Sequence, residues 1–284
     1  MKKIALIGNY PPRKCGIATF THDLNTGIKK NGVKTAVIAI NDGLNKYAYS
    51  PDVVFEIEQN ELAAYINAAS YLNTNNFDAV ILQHEFGIFG GKDGRHIIQL
   101  LKRLRMPVVT TLHTVLDNPS ANQRQVLNEI AHISDKMISI SQKGVELLSE
   151  VYEVPTEKSV HIHHGVHKIA VEGVEPLRKK LGVENKKVLL TFGLLSKSKS
   201  IEVVINALPE VIKKHPEIVY IVLGATHPHV LKSEGEEYRH SLVRRVTKLG
   251  LEKNVIFINR FVSNEELYTY LKLCDIYVIP YLGE

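Results

Sequence analysis

The chain has 284 residues, 44% of them hydrophobic and 23% charged, with a formal net charge of +5. This composition excludes a disordered chain and provides for a real core, and the length fits two domains of about 100–200 residues each. No apolar run approaches the ~20 residues of a membrane-spanning helix, and the only cysteines, Cys15 and Cys274, lie far apart, which fits a reducing cytosol rather than a disulfide framework.

The apolar stretch after Lys2 and Lys3 is too short for a secretory signal, and Pro11-Pro12-Arg13-Lys14 stands where a small-residue cleavage site belongs. It is predicted as a first buried strand, Lys3–Gly8. Strands follow at Val33–Ile40, Ala79–Gln83, Val108–Leu112, Met137–Ile140 and Val160–His163. Helices are predicted between them at Ala18–Lys30, Glu61–Leu72, Arg95–Arg105, Gln123–His132 and Gln142–Val151. Short continuous apolar strands alternating with helices predict a parallel sheet buried on both faces. The alternation pauses across His167–Gly182, with a short charged stretch at Glu175–Leu181. It resumes with strands Lys187–Phe192, Val219–Leu223, Val255–Ile258 and Ile276–Ile279, and helices Ile201–Lys214, Gly235–Leu249 and Glu265–Leu273. Ser263 and Glu266 form a capping box for the last helix. The expected organisation is a domain over 1–168, a linker over 169–182 and a second α/β domain over 183–284. That second domain stops just after a strand and reads as truncated at its C-terminus.

The phosphate-binding motifs discriminate. Gly8 to Gly16 is not a G-x-G-x-x-G dinucleotide loop. Gly87–Asp93 fails as a P-loop, because Phe86 stands where the first glycine belongs and Asp93 replaces Ser or Thr. No Asp-x-Asp occurs, which favours chemistry without a divalent metal. Gly16 opens a predicted helix, where backbone can approach an anion. The stronger signal is Thr191-Phe192-Gly193-Leu194-Leu195-Ser196-Lys197-Ser198-Lys199-Ser200: a strand, a glycine, a basic loop and a helix N-terminus, which together suit a pyrophosphate. The mild basic excess suits phosphate-bearing ligands or an anionic membrane surface. Lysines and arginines are scattered and not interleaved with aromatics, so nucleic acid is not an expected partner. His161, His163, His164 and His167 invite a metal reading, but no cysteine or carboxylate completes a set, and no metal is expected.

The ordered series Tyr10-Pro11-Pro12…Cys15-Gly16-Ile17, Gln83-His84-Glu85, Thr111-Leu112-His113-Thr114, His164-Gly165-Val166, Gly193…Lys199, Leu249–Phe257, Val262–Leu267 and Cys274–Pro280 resembles the family-4 (group 1) retaining glycosyltransferases over essentially the whole chain. The Pro-Pro start and the Phe89-Gly90-Gly91 loop are similar to a bacterial, mannosyltransferase-like subgroup. The resemblance implies a GT-B architecture, with two Rossmann-like domains facing each other across a cleft. It implies a nucleotide diphosphate sugar as donor, a saccharide or lipid-linked acceptor, retention of anomeric configuration, and neither metal nor other cofactor. A cytoplasmic location, with peripheral contact at the inner membrane face, is the matching expectation.

By the same resemblance, Lys199 neutralises the leaving diphosphate, Gly16 and Gly193 approach the donor, and His113 lies near the reacting sugar. His84 and Glu85 contact the acceptor, and Glu284 is the first glutamate of a Glu-x7-Glu motif in the donor site. Two positions depart from the family pattern. Leu194 stands where an arginine is usual, leaving Arg13, Lys14, Lys197 or Arg260 to substitute, and His167 stands where an aspartate is usual. Another GT-B enzyme, such as a nucleotide-sugar epimerase or an inverting transferase, and a non-catalytic nucleotide-binding fragment stay open as alternatives.

Overall fold

In the first strand, β1 (Lys3–Gly8), Leu6 packs with Val37 and Ala39, while its neighbours Ala5 and Ile7 pack with Ile38 and Ile40. Successive side chains of a strand point to opposite faces, so a strand apolar at every position must be covered on both sides. Burying each Leu or Ile in this way stabilises the fold by about 1.5–3 kcal/mol. The computed structural model describes residues 2–43, 46–167 and 173–281.

The chain divides into two units, Met1–Val166 and His167–Glu284. In the first, β1 is followed by α1 (Gly16–Lys30), β2 (Lys34–Asn41), β3 (Val53–Glu58), α2 (Leu62–Thr74) and β4 (Ala79–His84). Then come α3 (His96–Leu101), β5 (Val108–Leu112), α4 (Ala121–Ile133), β6 (Lys136–Ser139), α5 (Gln142–Glu150) and β7 (Ser159–His161). All strands are parallel, in the order β3-β2-β1-β4-β5-β6-β7. Winding reverses between β1 and β4, because β1 leads outward to β2 on one side while β3 returns to β4 on the other.

The second unit holds α6 (Glu175–Leu181), β8 (Lys187–Phe192), α7 (Ile201–Lys214), β9 (Ile218–Leu223), α8 (Pro228–Glu234), α9 (Glu237–Lys248), β10 (Val255–Ile258), α10 (Asn264–Leu273) and β11 (Ile276–Tyr277). Its described strands are parallel in the order β10-β9-β8-β11, so winding reverses between β8 and β11. Two Rossmann-like parallel sheets are thus present, as expected from the alternation. The capping box of α10 is formed: the Ser263 hydroxyl accepts from Glu266 N at 3.2 Å, and the Glu266 carboxylate accepts from Ser263 N at 3.2 Å.

Several elements differ from the sequence reading. β3 was not anticipated, because Val53, Phe55 and Ile57 alternate with Val54, Glu56 and Glu58 instead of forming a continuous apolar run. An edge strand permits that pattern. The helix expected over Arg95–Arg105 is confined to His96–Leu101; the chain after it is held outside the helix by Asn73, which donates to Arg103 O at 2.7 Å and accepts from Arg105 N at 3.0 Å. The charged stretch Glu175–Leu181 is a helix whose Leu177 and Leu181 pack on the second core, although it falls in the stretch read as linker. Residues 168–172 of that stretch lie outside the described residues. The chain enters α8 at Pro228, a first-turn position that needs no N–H donor. Gly235, expected inside a helix, separates α8 from α9. The last strand is limited to Ile276–Tyr277. Among the described residues, no helix is long and apolar enough to cross a membrane.

Candidate active site

In α/β sheets, ligands bind outside the carboxyl ends of the strands where the winding reverses. The second unit builds such a place from the loop after β8. Gly193 has φ of +125° and Gly224, after β9, has φ of +146°, both in the region that favours glycine. A Cβ on Gly224 would lie 1.9 Å from the Gly193 carbonyl oxygen, so the two backbones cross in contact. Leu195 N donates to Ala225 O at 2.9 Å and His227 N donates to Leu195 O at 2.9 Å, which ties the loop to its neighbour. A 3-10 turn, Lys197–Lys199, then leads through Ser200 into α7. Ser200 has φ of +47°, a strained conformation for a residue with a Cβ, and its side chain does not cap the helix. Instead, the Tyr238 hydroxyl accepts from Ile201 N at 3.1 Å.

Lys199 folds back over this floor. A Cβ on Gly193 would lie 3.3 Å from Lys199 Nζ, so the loop glycine and the lysine head group that the sequence paired are adjacent. Lys199 donates to the Tyr281 hydroxyl and sits 4.2 Å from the centre of that ring. Most of the other nominated cations are engaged elsewhere. Lys197 Nζ meets Glu234 at 2.7 Å, and Arg260 makes a two-pronged pair with Glu266 at 2.6 and 2.9 Å. Arg13, in the first unit, donates to Asn9 Oδ1 and Ile40 O at 3.0 Å each and pairs with Asp42 at 3.5 Å. None of these three is arranged as an idle replacement for an arginine at 194. Glu284 lies outside the described residues.

In the first unit the corresponding reversal lies between β1 and β4. Cys15 is the N-cap of α1, its Sγ accepting from Ala18 N at 3.3 Å and from Asn9 Nδ2 at 3.2 Å. Gly16, the first residue of the helix, is exposed, and a Cβ there would meet nothing within 4 Å. Its conformation does not demand glycine either, so what distinguishes the position is open space before a helix N-terminus.

His113 follows β5. Its Nε2 is 3.0 Å from Gln83 Oε1 at the end of β4, and its ring meets the edge of Phe20, with centroids 4.8 Å apart. Phe20 also meets His164 at 5.1 Å. As the Gln83 amide is placed, Nε2–H of His113 donates and Nδ1 is left as an acceptor. Burial, with a smaller contribution from His164, pushes the His113 pKa down to about 4, so the ring is neutral at pH 7.

His84 is not at a surface. It is 0% exposed, its ring packs against Phe86 and Phe89, and neither ring nitrogen has a hydrogen-bond partner among the described residues. Burial pushes its pKa down to about 3. The expected acceptor contact is therefore corrected: β4 turns this side chain into the core. Glu85 is partly exposed but engaged, accepting from Phe86 N at 3.0 Å and from the Thr114 hydroxyl. Of the histidines near residue 164, only the rings of His161 and His163 pack on each other, at 4.3 Å. Among the described residues, no group of three or more His, Cys, Asp or Glu side chains is arranged to hold a metal ion.

Sequence reasoning quoted Gln83 without giving it a role, and missed Phe20 and Tyr281. Gln83 carried a signal, a polar residue at the end of an apolar run. Tyr281 carried none, because only the pairing of β11 with β8 brings it to Lys199.

The signature of Glycosyltransferase Family 4 matches residues 15–168, and that of Glycosyl transferases group 1 matches residues 174–284. The alpha-monoglucosyldiacylglycerol synthase of Streptococcus pneumoniae is 26% identical, over 95% of this chain, and the chain spans only 63% of that protein's length. An uncharacterized glycosyltransferase of Methanocaldococcus jannaschii is 23% identical, over 99% of this chain and 75% of its own. Among solved structures, Anabaena HepE in complex with UDP and glucose aligns with a TM-score of 0.72 at 17% identity, over 98% of this chain and 73% of that one. A glycosyltransferase from Rickettsia africae aligns with a TM-score of 0.73 at 17% identity, over 99% of this chain and 74% of that one. The structural likeness speaks for the fold, the paired Rossmann-like sheets of GT-B glycosyltransferases. Since its signature covers more than half of the sequence, with a group 1 signature following it, the chain belongs to Glycosyltransferase Family 4.

Proposed function

We propose that the protein is a retaining, metal-independent hexosyltransferase. It takes its sugar, mannose by preference, from a nucleotide diphosphate donor and passes it to a saccharide or lipid-linked acceptor. The observation that carries this reading is the ammonium of Lys199 beside Gly193 at the reversal point of the second sheet. Breaking the bond from sugar to diphosphate builds negative charge on the leaving group. A cation and a helix N-terminus already in place stabilise that charge more in the transition state than in the ground state. Attack on the same face of the oxocarbenium-like sugar lets the leaving phosphate accept the acceptor's proton, so no carboxylate nucleophile is needed.

Gly16, with open space before α1, fits close approach of the donor. The neutral imidazole of His113, held by Gln83, fits a hydrogen-bonding contact to the sugar. His113→Ala is expected to lower turnover about fivefold, the worth of one net hydrogen bond, with nucleotide binding nearly unchanged. Equal loss of both places His113 at the nucleotide instead.

The mannosyl preference rests on the Pro11-Pro12…Cys15-Gly16 start and the Phe89-Gly90-Gly91 loop. A glucosyl donor is the second reading, favoured by the streptococcal synthase's name and by HepE's bound UDP and glucose. A role in polysaccharide or glycolipid assembly, in the cytoplasm at the inner membrane face, belongs to the same proposal. A donor screen with GDP-mannose and UDP-glucose on the full-length protein, with the product's anomeric configuration read by NMR, tests it. An inverted product or epimerisation without acceptor overturns the reading.

A further inference from the structure

Lys199 forms no ion pair with a carboxylate among the described residues, unlike Lys197 and Arg260. Its partner is Tyr281, whose hydroxyl accepts a hydrogen bond from the ammonium. Tyr281 comes from the segment after β11, and Lys199 from the loop after β8. Their contact therefore bridges the two strands between which the second sheet reverses. Tyr281 is 42% exposed, so this is a surface pair rather than a core one.

A phenol hydroxyl has one proton to give and lone pairs to accept with. Lys199 uses a lone pair, which leaves the O–H proton for a second acceptor. An anion drawn to the ammonium comes within reach of that hydroxyl, and hydrogen bonds to ionised oxygens are the strong ones. We infer that Tyr281 is a second diphosphate ligand: its hydroxyl donates to an oxygen of the same phosphate that Lys199 neutralises. This assignment rests on the donor-site reading of the Gly193–Lys199 loop.

Calorimetric titration of the full-length protein with UDP and with GDP identifies the tighter diphosphate, which is then compared with its monophosphate. Tyr281→Phe keeps the ring and removes the hydroxyl. Its expected effect is roughly tenfold weaker diphosphate binding, a smaller loss for the monophosphate and an unchanged melting temperature. Unchanged binding by Tyr281→Phe overturns the assignment. Tighter binding also overturns it, since Tyr281 then merely occupies the phosphate's place. Equal losses for di- and monophosphate mark a structural role and overturn it as well. If the unaltered protein binds neither diphosphate, the donor-site reading itself fails and takes the assignment with it. If the unaltered protein binds and Tyr281→Phe is indifferent, that reading stands and only the assignment falls.

Discussion

After β1 the chain runs through Asn9, Arg13 and Cys15 into α1, and after β8 it runs through Gly193, Lys197 and Lys199 into α7. Both turns stand where their sheet reverses its winding. In the first turn the cation is turned inward: Arg13 and Asp42 are both 8% exposed, and Cys15 caps the helix. In the second, Ser200 is strained and does not itself cap the helix, and Lys199 donates to the hydroxyl of Tyr281. One loop closes its polar groups on themselves and leaves open space at a glycine, whereas the other leaves a charge to be satisfied. The same topology thus turns the cation inward in one unit and leaves it without a carboxylate partner among the described residues in the other. What decides between them is whether the loop's donors find protein acceptors.

Arg13→Ala attacks the closed loop and carries the largest expected effect. Removing the guanidinium takes a buried ion-pair partner from Asp42 and the donors from Asn9 and Ile40 O, at a cost of about 3 kcal/mol. Urea denaturation measures this, and an undiminished midpoint shows that Arg13 is not structural and is available to a phosphate. Lys199→Ala attacks the open loop. Transfer is expected to fall at least about tenfold, or roughly 1.5–3 kcal/mol, while the melting temperature holds. An unchanged kcat/KM removes the contrast between the two loops.

His84 extends the comparison to the core beneath the first loop. Its folded pKa, about 3, lies below the usual 6.5, so the unfolded chain binds more protons in that interval. The stabilisation is complete above 6.5 and is lost as pH falls through the window down to the folded value. His84→Leu is expected to flatten the acid side of the stability curve and to add about 1 kcal/mol near neutrality, because an unpartnered buried polar group is removed. Thermal melts from pH 7 to 4 (roughly the span of this titration) check both points. Loss of acceptor binding with stability unaltered would return His84 to the site. The smallest expected effect is none: EDTA leaves transfer intact, and loss restored by Mg²⁺ or Mn²⁺ breaks the reading in which protein groups, Lys199 first among them, answer the diphosphate charge without a metal ion.

Much of the architecture could be read from the sequence by itself. Continuous apolar strands such as Lys3–Gly8 and Lys187–Phe192 can be buried only in a sheet covered on both faces, so alternation with helices announces two parallel sheets. The Gly193–Lys199 loop was equally legible, because strand, glycine, lysine and helix are local in sequence. Exposure and partnership were not. His84 and His113 both stand at the ends of strands and look alike in the sequence. Yet the packing of Phe86 and Phe89 buries one, while Gln83 holds the other with a nitrogen to spare. Arg13 and Lys199 are both loop cations, but only the fold brings Asp42 to the first and Tyr281, 82 residues away, to the second. Periodicity reports what a segment must bury. Only the tertiary structure decides which polar groups meet, because hydrogen bonds form between neighbours in space that have no fixed spacing along the chain.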